Sequence, residues 1–249
     1  MKIAIVLTYY QRQRQLSNTL DSFKQYNPDD FFVVIVDDDS PDDIVLGDYP
    51  FDITVLKIQD KNWINPGPAY NTGFKEAINN GADVIIIQNA ECYHKGDIIE
   101  AVKSNITEKH YLAFGAYALS QDQDIDFTAY NMRTATHNGD SAWYNHSVYR
   151  PEALHFCTAI TVNNLKKLNG FDERFAFGIG FDDNYFIYQV RMARFRIKFI
   201  DNPFVLHQFH YDVRSSPHVE ELYNANSYRF IELKKLFEYR AKHLLTPDL

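Results

Sequence analysis

Four short apolar runs mark the first part of the chain: Ile3–Leu7, Phe31–Val36, Ile53–Ile58 and Val84–Ile87. They are rich in Val and Ile and largely continuous rather than strictly alternating, which predicts strands buried on both faces of a parallel sheet. Between them, helical spacing of apolar residues predicts helices over about 13–26, 68–80 and 96–105. Strand–helix–strand alternation of this kind predicts an α/β, doubly wound fold, with ligands beyond the carboxyl ends of the strands.

The pattern changes after Tyr111–Leu119, which reads as a further strand. Residues 120–155 are polar, aromatic-rich and aperiodic, and a loop of that length in a compact domain is functional or mobile. An apolar patch at Thr158–Val162, a short helix near 163–168 and a helix beginning near Phe181 follow. Strand-like Ile197–Ile200 and Phe204–Leu206 come next, then a final helix over roughly 217–243. No linker or repeat divides the chain, so residues 1–249 are read as one domain. Within it, 1–118 form a nucleotide-binding half, 119–215 an acceptor half and 216–249 a C-terminal helix.

Composition narrows the function. The net charge is −8 and no Lys/Arg run is present, which argues against nucleic acid as a partner. An acidic protein that holds a diphosphate needs a cation between them, a first hint of a divalent metal. Two cysteines, Cys92 and Cys157, are too few for a disulfide framework, and no stretch reaches membrane-spanning length. The expectation is a cytosolic protein with free thiols, in which the sequons at Asn105 and Asn145 carry no sugar.

Chemistry-bearing residues collect at the expected strand ends. The first strand ends in Thr8-Tyr9-Tyr10 and the second in Asp37-Asp38-Asp39-Ser40. Three adjacent carboxylates repel one another, which a binding role explains and turn chemistry at Ser40-Pro41 also explains. A carboxylate here accepts an N–H from a nucleobase while a tyrosine ring stacks on it, which pairs Tyr10 with Asp38. Asn65 through Gly73 lead into a helix whose N-terminus suits either an anion or a plain cap. The fourth strand runs into Asn89-Ala90-Glu91, where Glu91 and His94 are ligand types suited to Mn²⁺ or Mg²⁺.

These segments, in this order and spacing, resemble family 2 glycosyltransferases of the GT-A fold. The resemblance implies a single Rossmann-like α/β domain with a mixed, mainly parallel central sheet flanked by helices. It also implies a nucleotide-sugar donor, a UDP-, GDP- or dTDP-sugar, held by Thr8, Tyr10, Asp38, Asn71 and Asn89. The family's metal-binding turn normally reads Asp-x-Asp; here it reads Asn89-Ala90-Glu91, which keeps the last acidic position.

A second resemblance lies in Asn169-Gly170-Phe171 through Gly178-x-Gly180 and Asp182-Asp183, similar to a segment of β1,4-galactosyltransferases. It implies Asp183 as the base that deprotonates an acceptor hydroxyl with inversion at the sugar, and Asp182 as a sugar ligand, with the two roles interchangeable. In relatives a histidine after the following strand completes the metal site, which implies His207 first and His210 second. His-x-x-His also suits zinc, but the sequence alone shows no third ligand nearby.

In the long loop, Trp143 and His146 are candidates for stacking on a sugar, alongside Arg133, His137, Tyr144, Tyr149, Arg150 and His155. The acceptor class is glycan, lipid-linked or protein. Two other classes compete: a nucleotidyltransferase, which needs a Gly-rich basic loop where Tyr9-Tyr10-Gln11 stand, and a non-enzymatic carbohydrate binder, which has no use for Asp182-Asp183. A transferase inactivated at Asn89 is the third possibility.

Overall fold

The structure is a computed structural model, and it describes residues 1–122, 124, 142–211 and 218–249. In the first half, β1 (Ile3–Tyr9), α1 (Gln13–Phe23), β2 (Phe31–Asp38), β3 (Ile53–Ile58), α2 (Gly67–Asn79) and β4 (Val84–Asn89) follow the expected alternation. The short strand β5 (Cys92–Lys95), α3 (Ile98–Asn105) and β6 (His110–Ala118) come next. Then follow β7 (Trp143–Asn145), β8 (Cys157–Thr161), α4 (Val162–Leu168), α5 (Asp182–Met192), β9 (Arg196–His207) and α6 (Val219–Lys234).

The strands make one mixed sheet in the order β3-β2-β1-β4-β8-β6-β9-β5, with β7 paired to β6. β3, β2, β1 and β4 run parallel; β2, β1 and β4 are buried almost throughout, as their continuous apolar sequences predict, whereas β3 is a partly exposed edge strand. Their register aligns Tyr9 with Asp37 and Thr8 with Asn89, so three strand ends open on one edge of the sheet. One face is buried under α1 and α3, including Leu16, Phe23, Ile98 and Val102. The other is buried under α2, α4 and α5, including Tyr70, Phe74, Leu165 and Phe186.

Several elements differ from expectation. The two predicted strands near 197–206 are a single strand, β9, whose register against β6 shifts between Phe114 and Gly115. The last helix is α6 alone, and residues 235–249 are not helical. The tail is held in another conformation because the Glu173 carboxylate accepts the N–H groups of Leu244, Leu245 and Thr246. A helix would spend those donors on its own carbonyls. β5 and β7 were not expected; each is three or four residues long, too short for a periodic signal.

Close packing joins the two halves. Gly73 of α2 lies where an added Cβ would come within 2.6 Å of Val6 and 2.9 Å of Val36, so only glycine lets this helix sit on β1 and β2. Two residues earlier in the same helix, Asn71 is 1% exposed and reaches across 100 residues of chain. Its Nδ2 donates to the Phe171 carbonyl at 2.9 Å and to Glu173 Oε1 at 3.0 Å, and its Oδ1 accepts from the Phe171 N–H at 2.8 Å. Substituting Asn71→Ala strands these buried partners, each worth about 1–3 kcal/mol when left unsatisfied. The expected loss is about 2–4 kcal/mol of unfolding free energy by urea titration. An unchanged midpoint would show that Asn71 does not clamp the fold.

Candidate active site

The aligned strand ends form the floor of a cavity of about 710 Å³. At one end, Asp38 Oδ2 accepts from Lys61 Nζ at 2.8 Å and Oδ1 accepts from Trp63 Nε1 at 3.0 Å. Burial pushes the Asp38 carboxyl above its ordinary value, against the opposing pull of the Lys61 charge. Lys61 Nζ also stands 5.0 Å from the centre of the Tyr10 ring. Tyr10 and Asp38 thus lie together on the cavity wall, bridged by Lys61, an aromatic ring and a carboxylate of the kind that meets a flat heterocycle with an N–H to donate. Sequence reading missed Lys61 and Trp63. They follow β3, and the strand-end rule that selected Tyr10 and Asp38 applies to them equally.

In the middle of the cavity, Asn89 Oδ1 accepts from the Tyr70 hydroxyl at 3.1 Å. Two residues on, Glu91 is buried and its Oε1 is a point of convergence. Arg12 Nη1 lies 2.7 Å away, His207 Nε2 3.3 Å and His210 Nε2 3.4 Å. The pairing of β5 with β9, Cys92 opposite His207, brings these distant parts of the chain together. Burial by itself would raise the Glu91 carboxyl; the two imidazoles and the Arg12 charge outweigh it and hold the group well below its ordinary value. The Tyr144 and Phe156 rings pack edge-on to His207 at 5.1 and 5.5 Å, which fixes the imidazole plane.

Glu91, His207 and His210 each offer one ligand atom, all within 4.8 Å of one another. One carboxylate oxygen and two imidazole nitrogens form a set that a divalent transition ion accepts, with positions left for a ligand's oxygens. Glu91 supplies the third ligand that the sequence near His207 and His210 does not show, and no cysteine joins the set among the described residues.

At the far side, Asp182 and Asp183 open α5, where the free N–H groups favour negative charge. The turn before them requires left-handed backbone at Gly180 (φ 69°) and Phe181 (φ 65°). Asn226 of α6 holds this turn by donating to the carbonyls of Phe175 at 3.1 Å and Gly180 at 2.9 Å. It packs so closely that a Cβ on Gly178 would lie 2.4 Å from its side chain. Asp182 Oδ1 accepts from Asn65 Nδ2 at 2.7 Å, and Asn65 Oδ1 in turn accepts from the Gly67 N–H at 2.9 Å. Burial and the adjacent Asp182 charge push the Asp183 carboxyl up to about 6, with His155 pulling the other way.

Thr8, Tyr10, Asp38, Asn89, Glu91, Asp182, Asp183, His207 and His210 all line this one cavity. Asn71 does not, since its amide is spent on Phe171 and Glu173. Trp143 and His146 do not line it either. Trp143 is 1% exposed, its ring packed among Tyr117, His146 and Phe204. His94 lies under the sheet between the Tyr26 hydroxyl at 2.8 Å and Gln88 Oε1 at 2.6 Å, and burial holds its imidazole down to about 3. The cavity instead takes Tyr144, Arg150, His155 and Phe156 from the same stretch of chain. Arg133 and His137 lie outside the described residues.

Solved structures share this fold. S. aureus TarS 1–349 in complex with UDP superposes with a TM-score of 0.63 at 13% identity, over 98% of this chain and 67% of that one. The mannosyltransferase PcManGT from Pyrobaculum calidifontis, in complex with GDP-Man and Mn²⁺, gives 0.57 at 15% identity, over 96% and 65%. The chain thus spans about two thirds of the length of these relatives, and 41% of a longer S. aureus TarS structure. No curated protein matches the sequence. Among the described residues, no helix is long and apolar enough to cross a membrane. Residues 4–166 match the family model for glycosyl transferase family 2, and on that match the chain belongs to this family and is a glycosyltransferase of the GT-A fold.

Proposed function

We propose that the protein transfers a sugar from a nucleoside diphosphate sugar to an acceptor hydroxyl, with a divalent ion and with inversion at the anomeric carbon. The observation that carries this reading is the convergence of a base slot, a Glu-His-His cluster and an acidic pair in one cavity. The solved relatives with UDP, UDP-GlcNAc and GDP-Man support a nucleotide-sugar donor, of uridine or guanosine type. The acceptor in this reading is a glycan or a lipid-linked sugar. A cytosolic location goes with it, and the free, buried thiols of Cys92 and Cys157 accord with that.

In this mechanism the donor base lies against Tyr10 and gives its N–H to Asp38. Glu91, His207 and His210 would hold Mn²⁺ in preference to Mg²⁺ because two of the three ligands are imidazoles. Such an ion supplies Lewis acidity for the diphosphate leaving group. Asp182, fixed by Asn65, aligns the acceptor. Asp183 takes the proton from the acceptor hydroxyl, whose oxygen bonds to the anomeric carbon as the bond to the diphosphate oxygen breaks. Its raised carboxyl makes it a stronger base than an exposed aspartate, and it is still ionised at neutral pH.

Asp183→Asn is expected to lower kcat by about 10²–10⁴ while leaving donor binding intact. A base must be deprotonated to act, so kcat/KM should fall as pH drops through about 6. That acidic limb should vanish in the variant's residual activity. Wild-type turnover by Asp183→Asn would remove it from this role.

Metal dependence is tested by thermal shift against UDP- and GDP-sugars with Mn²⁺ or with chelator. Stabilisation should need both nucleotide and metal, and Glu91→Ala with Mn²⁺ should match the wild type in chelator. Equal donor affinity in chelator would take the metal out of the scheme.

A further inference from the structure

The mechanism above leaves Arg12 without a part. Its backbone is fixed at the start of α1, where its carbonyl accepts from the Leu16 N–H at 2.9 Å. Its side chain crosses to Glu91 and makes a single close contact, Nη1 to Oε1 at 2.7 Å. The guanidinium Nε is buried and has no hydrogen-bond partner among the described residues. An arginine paired with a carboxylate frequently makes a forked, two-point contact, which satisfies more donors. Among the described residues Arg12 is held at one point, on the oxygen where both imidazoles converge, and it lines the cavity with its Nε buried and unpaired.

That oxygen has two competing uses. A cation held by Glu91, His207 and His210 would use the same Oε1 that Arg12 now contacts, and two cations beside one carboxylate repel each other. Arg12 and Glu91 line the same cavity as Tyr10, Asp38, Asp182 and Asp183, the cavity in which the proposed donor would lie.

We propose that Arg12 is an exchangeable counter-ion of Glu91: it gives up Oε1 to the divalent ion and moves to the donor diphosphate. Metal and nucleotide consequently bind cooperatively, each tightening the other by the same factor, as linkage requires. This rests on the donor and metal reading given above. It adds an order to the site, since the single carboxylate is neutralised by Arg12 until a diphosphate arrives to replace it. Arg12 is here both a positioning residue for Glu91 and a ligand for the phosphates.

Mn²⁺ binding is measured by the loss of its free-ion EPR signal, with and without UDP or GDP, in wild type, Arg12→Met, Arg12→Lys and Glu91→Ala. The wild type should bind Mn²⁺ weakly alone and about 10-fold or more tightly with the preferred nucleotide, within the usual range for coupled sites. Arg12→Met should bind Mn²⁺ more tightly than wild type without nucleotide and lose most of the coupling. Arg12→Lys, which keeps the charge, should retain much of it and so separates electrostatics from packing.

Unchanged coupling in Arg12→Met, with Mn²⁺ binding lost in Glu91→Ala, overturns this proposal alone. Mn²⁺ binding that survives Glu91→Ala overturns the metal assignment and this proposal together.

Discussion

A buried carboxylate must be neutralised, and in this protein that requirement organises the centre of the site. Glu91 sits just past the end of β4, out of water, with its charge kept by an arginine from the first strand–helix turn, by His207 at the end of the last strand and by His210 just beyond it. The arginine and the two histidines come from opposite ends of the chain. None can be at its post unless β1, β4, β5 and β9 are in register, so the charge pairing and the sheet stabilise one another. Placing an unpaired carboxylate in that position would cost several kcal/mol. Gln208 tightens the same corner: its N–H donates to the Glu91 carbonyl at 3.0 Å and its side chain to the same carbonyl at 3.2 Å.

The rest of the fold sets the distance between the two ends of the cavity. Gly73 lets α2 sit against β1 and β2, and Asn71, nearby on that helix, clamps Phe171 and Glu173. Glu173 then captures the amides of the C-terminal tail. The segment from Asn169 to Asp183 is thereby tied to the donor side of the protein before it delivers its acidic pair. The Asn65–Asp182 hydrogen bond is the last link, joining the turn that opens α2 to the turn that opens α5. A sugar-transfer site needs donor and acceptor held at reacting distance, and this chain of buried contacts supplies the rigidity that such positioning demands.

How much of this was legible in the sequence follows from parity and range. Tyr10, Asp38 and Glu91 were visible because continuous apolar runs show where strands end, and parallel strands put their carboxyl ends on one edge. Trp143 and His146 were chosen over Tyr144 and His155 for want of parity. In β7, Trp143 and Asn145 point into the protein while Tyr144 faces the cavity, and three residues carry no alternation from which to read that. His94 shares that history: β5 puts Cys92 and His94 on the buried side, and the strand is too short to announce itself. Asn71 failed for another reason. An amide at the start of a helix looks the same in sequence whether it meets a ligand or a backbone 100 residues away. His207 and His210 came from resemblance, and only the β5–β9 register explains why two residues so far from Glu91 reach its oxygen.

The carboxylates of the cavity are not treated alike, and the difference matches the division of labour proposed for them. Asp38 has Lys61 and Glu91 has Arg12, so each carboxylate on the donor side carries its own cation. Asp182 has only the neutral amide of Asn65, and Asp183 sits beside it with a carboxyl raised to about 6. Glu91 is held well below its ordinary value and Asp38, though burial raises it, keeps Lys61 in contact, which suits both as ligands; an aspartate crowded by another aspartate accepts a proton more readily and makes the better base. A cavity built only for binding would gain by neutralising Asp183 as well. Leaving that carboxyl raised, with His155 offsetting only part of the burial, costs stability, and the cost has a use if a hydroxyl proton must be taken at that point.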